Sequence, residues 1–195
     1  MQWPDKKRIA VLLSFDIDGE TLWLTRNPIN RQHLTNLSRG RYATKQGLPR
    51  ILRMLEEENL QATFFTPAYI AELHPEVLKE IAEQGHEIGY HGYMHEVMPT
   101  YEEERALMDK AEKIIKDITG QQMCGARMPD GIIHDFHLQL WLERGYIYAS
   151  NWRNNDGPFL HKLHGSEIPL VELPTDGLVD DTSYDMYTLQ EPVHY

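Results

Sequence analysis

Cysteine is nearly absent from this 195-residue chain. Cys124 stands alone, so no intrachain disulfide can form and the fold does not depend on an oxidising compartment. Positive charge is scarce as well: 19 Lys and Arg face 30 Asp and Glu, a net charge of −11, and no basic block is longer than Lys6-Lys7-Arg8. Neutralising phosphates takes clustered cations, so neither nucleic acid nor an anionic membrane surface is an expected partner. Long apolar runs are also missing. The aliphatic run Ile9 to Leu13 is too short for a membrane span or a signal-peptide core, which leads to the expectation of a cytoplasmic address. Repeats, low-complexity tracts and Gly/Ser linkers do not occur, and 41% hydrophobic with 25% charged residues describe one soluble domain over residues 1–195.

The apolar pattern that is present alternates in kind. Arg8 to Phe15 is continuously β-prone and suits a strand buried on both faces, as in a parallel sheet. Helical stripes follow at Ile51, Leu52 and Leu55 behind Pro49, and at Val77, Leu78 and Ile81 behind Pro75. Thr100-Tyr-Glu-Glu103 is a capping-box pattern, and Glu102 to Glu104 complement the helix dipole. Leu107, Ala111, Ile114, Ile115 and Ile118 form the expected buried stripe of that helix, and Gly120 ends it. A fourth helix is expected from about Asp135 to Arg144. β-type segments lie between these at residues 61–66, 87–90, 124–128, 146–148 and 170–173. Strict alternation of strand and helix predicts an α/β fold with parallel strands and right-handed crossovers, as an open sheet or a barrel.

Parallel sheets place chemistry at the carboxyl ends of their strands. After the first strand comes Asp16-Ile-Asp18-Gly-Glu20, after the third His91-Gly-Tyr-Met-His95, and at the fourth Arg127-Met-Pro129. His91 and His95, at i and i+4, can turn both imidazoles to one side and share a metal, with a carboxylate from another strand end completing a two-His, one-carboxylate set. Such pairs also occur on surfaces without any metal. Asp16 and Asp18, two apart on an extended strand, point the same way and repel unless a cation intervenes; the alternative is that both cap the following loop. Arg127 could orient a catalytic Asp through a bidentate pair, or make an ordinary surface ion pair. The pairs His134/His137 and His161/His164 are expected to be solvated or hydrogen-bonded. Met94 and Met98 could line a pocket but more often such residues fill gaps in a core, Trp141 belongs in the core, and Trp152 and Tyr148 could equally stack on a ligand ring or seal the sheet.

Taken together, Ser14-Phe-Asp-Ile-Asp-Gly-Glu20, Ala62-Thr-Phe-Phe65, Gly85-His-Glu-Ile-Gly-Tyr-His-Gly-Tyr-Met-His95 and Gly125-Ala-Arg-Met-Pro129 resemble the polysaccharide deacetylase superfamily, the NodB homology domain or carbohydrate esterase family four. The resemblance runs over about residues 8 to 181 and is nearest to the cytoplasmic branch of peptidoglycan-deacetylase-like and allantoinase-like proteins. It implies a distorted parallel β/α barrel, incomplete if about six strands are present where the family has seven or so. It implies a divalent metal, usually zinc, on Asp18, His91 and His95, with Asp16 as general base and Arg127 holding that base. His86 matches a structural position, Pro129 shapes the groove wall, and Asp156 and Asp181 fall in looser substrate-side segments. The family's acid His, in a Leu-x-x-His-Pro-like motif, has no counterpart before Tyr195, so the sequence leads to the expectation of a chain truncated at its carboxyl end. The implied activity is hydrolysis of a non-peptide C–N bond, foremost an N-acetyl group on a sugar or polysaccharide. An allantoinase-like action on a cyclic amide or ureide is the alternative, and an impaired metal- or sugar-binding remnant the third reading. A sugar or other small-molecule substrate is the expected partner, and a homo-oligomer is compatible with the sequence.

Overall fold

Seven strands form one sheet in a computed structural model that describes residues 6–152, 155–175 and 180, to which all structural statements refer. They are β1 (Ser14–Asp16), β2 (Thr63–Thr66), β3 (Glu87–Tyr90), β4 (Gly125–Ala126), β5 (Tyr148–Ala149), β6 (Phe159–Leu163) and β7 (Ser166–Glu172). The order is β1-β2-β3-β4-β5-β7-β6, parallel throughout except for the antiparallel β6–β7 pair. The fold is therefore the expected α/β class with a mostly parallel sheet. The β6–β7 hairpin is an addition to the expectation. Its two-residue turn, His164-Gly165, has φ of +51° and +83°, the left-handed pair that matches the twist of adjoining strands.

The first strand is shorter than its apolar run suggests. Ile9, Val11 and Leu12 are 71%, 75% and 57% exposed, and pairing starts only at Ser14, opposite Thr63. Among the described residues β1 is an edge strand paired with β2 alone, which begins at Thr63, so residues 8–12 have no described ladder to join. A strand needs a partner as well as a pattern.

Helices α3 (Leu48–Glu57), α5 (Pro75–Glu83), α6 (Tyr101–Thr119) and α7 (Asp135–Glu143) lie where the stripes predict. Their residues Leu52, Leu55, Leu78, Ile81, Met108, Ile115, Leu140 and Trp141 pack with Phe64 and Ile88 of the sheet in one continuous core. Thr100 Oγ1 accepts from the Glu103 N–H at 3.3 Å, and Gly120, at φ +75°, ends α6 in the left-handed region. The buried face of α6 is rotated from the expected one: it carries Glu104, Met108, Ala111 and Ile115, with Leu107 only half-buried.

Three helices carry no stripe long enough to predict: α1 (Thr21–Arg26), α2 (Leu34–Tyr42) and α4 (Ala68–Leu73). A 3-10 turn at Pro28–Gln32 links α1 to α2, and a π turn at Ala43–Gly47 runs α2 into α3. α2 buries only Leu37 and Gly40, so it is held by close approach and not by an apolar face. A Cβ on Gly40 would lie 2.6 Å from the Gly19 carbonyl oxygen and 2.7 Å from the Glu20 Cα, both main-chain atoms. Gly40→Ala should therefore destabilise the protein by about 1–3 kcal/mol through overpacking, although alanine is worth ~1 kcal/mol more than glycine in a helix interior. Urea unfolding measures the sum, and a more stable variant would show that α2 does not press on the Gly19 turn.

Candidate metal and catalytic site

Three strand ends converge. β1 finishes at Asp16, and Ile17 then turns into the core while its N–H donates to the Phe65 carbonyl at 2.9 Å, leaving Asp16 and Asp18 on the other side. Asp18 is fixed by a turn in which its carbonyl accepts from the Thr21 N–H at 2.9 Å and the Thr21 hydroxyl at 2.6 Å. β3 delivers His91, and the following loop curls through Gly92 so that His95, held at φ +65°, brings its ring within 5.0 Å of the His91 ring. A non-glycine residue in that region stores about 1–3 kcal/mol of strain, a kind of strain that gathers at functional sites.

The result is a compact donor set. His91 Nε2 lies 3.3 Å from Asp18 Oδ1, His95 Nε2 lies 3.4 Å from Asp18 Oδ2, and one ligand atom from each of the three lies within 4.8 Å of the others. His91 Nδ1 bonds to the Arg127 carbonyl at 2.6 Å, which requires the proton on Nδ1 and leaves Nε2 facing Asp18. Asp18 Oδ1 and His91 Nε2 are both buried without a hydrogen-bond partner. Two electron-rich atoms so placed need a proton or a cation between them, so the residues fit a divalent metal. Burial pushes the Asp18 carboxyl up, but the close His91 and the charges of His95 and Arg26 outweigh it and hold it below the ordinary value. Burial pulls His95 down, and the neighbouring His91 adds to that while Asp18 opposes it.

Arg127 follows β4 and faces Asp16. Its Nη1 donates to Asp16 Oδ1 at 2.7 Å, Nη2 to Ser14 Oγ at 3.0 Å and Ser150 Oγ at 2.9 Å, and Nε to the Ser150 carbonyl at 3.0 Å. The pairing with Asp16 is single and not the bidentate fork that the sequence suggested, because the two serines take the second arm. Asp16 Oδ2 consequently has no protein partner among the described residues, and the side chain is 32% exposed at the mouth. Asp156 is exposed in the β5–β6 connection, where its N–H bonds to Asn155 Oδ1, and none of its described contacts joins it to this site. Asp181 lies outside the described residues.

Residues 5–149 match the family Polysaccharide deacetylase. The chain belongs to that family. A peptidoglycan deacetylase from Helicobacter pylori is 29% identical, over 95% of this chain and 71% of its own length. The crystal structure of a polysaccharide deacetylase homologue from Mycobacterium smegmatis superposes with a TM-score of 0.88 and 34% identity, over 94% of this chain and 64% of that one. An allantoinase shares the fold, with a TM-score of 0.78 at 23% identity over 94% of this chain and 67% of its own. No described helix of the chain is long and apolar enough to cross a membrane.

Two buried acids that support this site escape the sequence reading. Glu104, which the sequence assigned to the helix dipole, is fully buried; its Oε1 accepts from the Tyr90 hydroxyl at 2.7 Å and its Oε2 from the Met98 N–H at 3.2 Å. It thus grips both ends of the segment that carries His91 and His95. Glu172, also fully buried, accepts from His161 Nε2 at 2.6 Å and from the Asn151 and Trp152 N–H groups, and so fixes the segment whose Ser150 holds Arg127. A signal existed: Glu104 shares its helix face with Met108 and Ala111, and Glu172 alternates with Leu170 on the core face of β7.

Glu104→Leu should cost about 1–3 kcal/mol for each donor left unpaired, read by urea unfolding, and should weaken at least tenfold any divalent metal held by the three candidate ligands, read by chelator competition. Unchanged metal affinity would show that the His91–His95 loop is held by other contacts. A pH dependence follows from His91. Burial depresses its pKa, but the Asp16 charge, Asp18 and the Arg127 carbonyl together raise it to about 9. Its unfolded value is about 6.5, so in metal-free protein the protonated pair with Asp18 stabilises fully below pH ~6.5 and is lost as pH rises through about 9. Melting temperatures of chelator-treated protein should fall across that window more steeply than those of His91→Ala; parallel curves would contradict the pairing.

Proposed function

We propose that this chain carries a metal-dependent hydrolase site for non-peptide C–N bonds, with the N-acetyl group of an amino sugar in a polysaccharide as its target. The observation that supports the reading most directly is the meeting of Asp18, His91 and His95 beside an Asp16 gripped by Arg127, in a member of the polysaccharide deacetylase family. Zinc suits a donor set of two imidazoles and one carboxylate that leaves positions open for water and substrate. When bound, the ion supplies Lewis acidity toward the acetyl carbonyl oxygen and the attacking water.

The protein's own residues do the rest. Asp16 accepts the water proton at Oδ2, the oxygen that Arg127 leaves unbonded. Arg127 keeps the carboxylate from rotating, and its carbonyl fixes the His91 ring so that Nε2 faces inward. Having taken a proton at the mouth, Asp16 is the group placed to return it to the departing amine, so one carboxylate serves in both directions. The same residues suit the ring amide of a ureide. The allantoinase likeness, at 23% identity, is one of fold and does not favour that substrate.

Asp16→Asn should retain about one equivalent of zinc by elemental analysis and lose at least ~100-fold in acetate release from N-acetylglucosamine oligomers, in line with the usual worth of a general base. His95→Ala should lose the metal itself. A fully active Asp16→Asn would remove Asp16 from the reaction, and wild-type protein that holds no metal and releases no acetate would leave a sugar-binding remnant as the better reading.

A further inference from the structure

Helix α1 is six residues long, too short to hold itself in water, and the side chain of its flanking residue Glu20 makes no cap. It is held from outside instead. At its start the Asp18 carbonyl accepts from the Thr21 N–H and hydroxyl, and toward its end Asn30 Nδ2 donates to the Trp23 carbonyl at 2.7 Å. One turn beyond Thr21, on the same face, Thr25 donates its hydroxyl to the Met94 carbonyl. A helical threonine ordinarily turns that hydroxyl back to a carbonyl of the preceding turn. Here it reaches a residue 69 positions away.

Met94 precedes His95, and its carbonyl belongs to the peptide plane that ends at the His95 nitrogen. Thr25 holds that plane by its oxygen. The adjoining peptide is held through the Met94 N–H, which donates to the Glu96 carboxylate. The first part of the loop is held through the Gly92 and Tyr93 carbonyls, which accept from the Ala68 and Tyr69 N–H groups at 3.2 and 2.8 Å. His95 itself sits at φ +65°, a setting that persists only where the surroundings impose it. Fixing the peptide plane on one side of a left-handed residue keeps its side chain aimed, and this side chain ends 3.4 Å from the Asp18 carboxylate.

We infer that α1 is a strut that sets the separation of Asp18 and His95, with Thr25 as the positioning residue for His95. Its two threonines grip the backbone of one candidate ligand and the chain neighbour of another. Two ligands supplied by different strand ends are thus spaced by one helical turn before any ion arrives. A metal then binds without having to order the loop, and affinity rises by the free energy that ordering would have cost. The inference rests on the metal reading of Asp18, His91 and His95 and is independent of the substrate.

The test is the zinc affinity of the whole chain, measured by chelator competition. Thr25→Val keeps the shape of the side chain and removes the donor, and should weaken zinc about fivefold, the net worth of one hydrogen bond. Thr25→Ser, which keeps the hydroxyl, should bind within about twofold of the wild type. In metal-free protein Thr25→Val should also speed hydrogen exchange of the Met94 N–H by about the same factor, and Thr25→Ser should not. Wild-type affinity in Thr25→Val, or equal losses in the valine and serine variants, would overturn the strut and leave the metal reading standing. Weaker zinc without faster exchange would also overturn it, since the hydroxyl would then act on something other than the loop. A wild-type chain that binds no zinc would overturn the strut and the metal reading together. Zinc held by the wild type and weakened in Thr25→Val, in a protein that releases no acetate, would support the strut and count against the hydrolase reading alone.

Discussion

The Arg127 guanidinium donates at once to Asp16, Ser14 and Ser150, while its main chain accepts from His91 Nδ1 and donates to the Tyr90 carbonyl at 2.9 Å. One residue therefore ties the ends of β1, β3, β4 and β5 together, and it does so with the atoms that orient both the imidazole facing Asp18 and the carboxylate of Asp16. A fixed cation is needed there on electrostatic grounds. Asp16 and Asp18 sit two residues apart at one strand end, and the field of both acts on His91. Without a cation on each, the mouth of the sheet would hold two carboxylates in mutual repulsion. Arg127 answers one of them from the protein, and the geometry around the other has room for a metal. Phe65, whose ring centre lies 4.3 Å from the guanidinium carbon, closes the remaining side of the arginine.

Further from the mouth, the design relies on acids that are buried and satisfied. Removing a carboxylate from water costs several kcal/mol, and the cost is met only when every oxygen finds a donor. Glu104 and Glu172 each find donors on two different segments, and each therefore works as a clamp between elements that are distant in sequence. Apolar side chains could fill the same volume. They could not fix the Met98, Asn151 and Trp152 N–H groups, and those groups set the path of the loops that present His95 and support Arg127.

The parts of the site that sequence reading reaches are those in which chemistry and neighbourhood coincide. Asp16 and Asp18 adjoin one strand end and His91 and His95 another, so spacing alone brings each pair to one place, and alternation of strand and helix places the ends together. The clamps need tertiary knowledge. Glu104 stands among Glu102 and Glu103 at a helix start, where an acid is unremarkable, and only the rotation of α6 reveals that it faces inward. The β6–β7 hairpin was hidden because His164-Gly165 reads more readily as half of a histidine pair than as a turn with two left-handed residues. Residues 8–12 mislead in the opposite direction: their pattern asks for burial, and the edge position of β1 denies it.

Residues 19–47 join both themes. They carry no apolar stripe, so nothing in their periodicity announces α1 or α2; α2 is folded back on the Gly19 turn by the contact of Gly40 with Gly19 and by the ion pair of Arg41 with Glu20, while Glu20 beside His74 and the Thr25 hydroxyl on the Met94 carbonyl tie the segment to the rest of the chain. Those two contacts lie next to one another, one at each side of the same turn. The close approach that only glycine permits at position 40 is what brings Arg41 within reach of a carboxylate two residues beyond Asp18. Reaction chemistry in parallel α/β proteins belongs to the strand ends, while discrimination between substrates belongs to the connections. Here a connection is anchored to the very turn that carries Asp18, so the backbone that positions Glu20 and Arg41 and the backbone that positions a candidate metal ligand are one short piece.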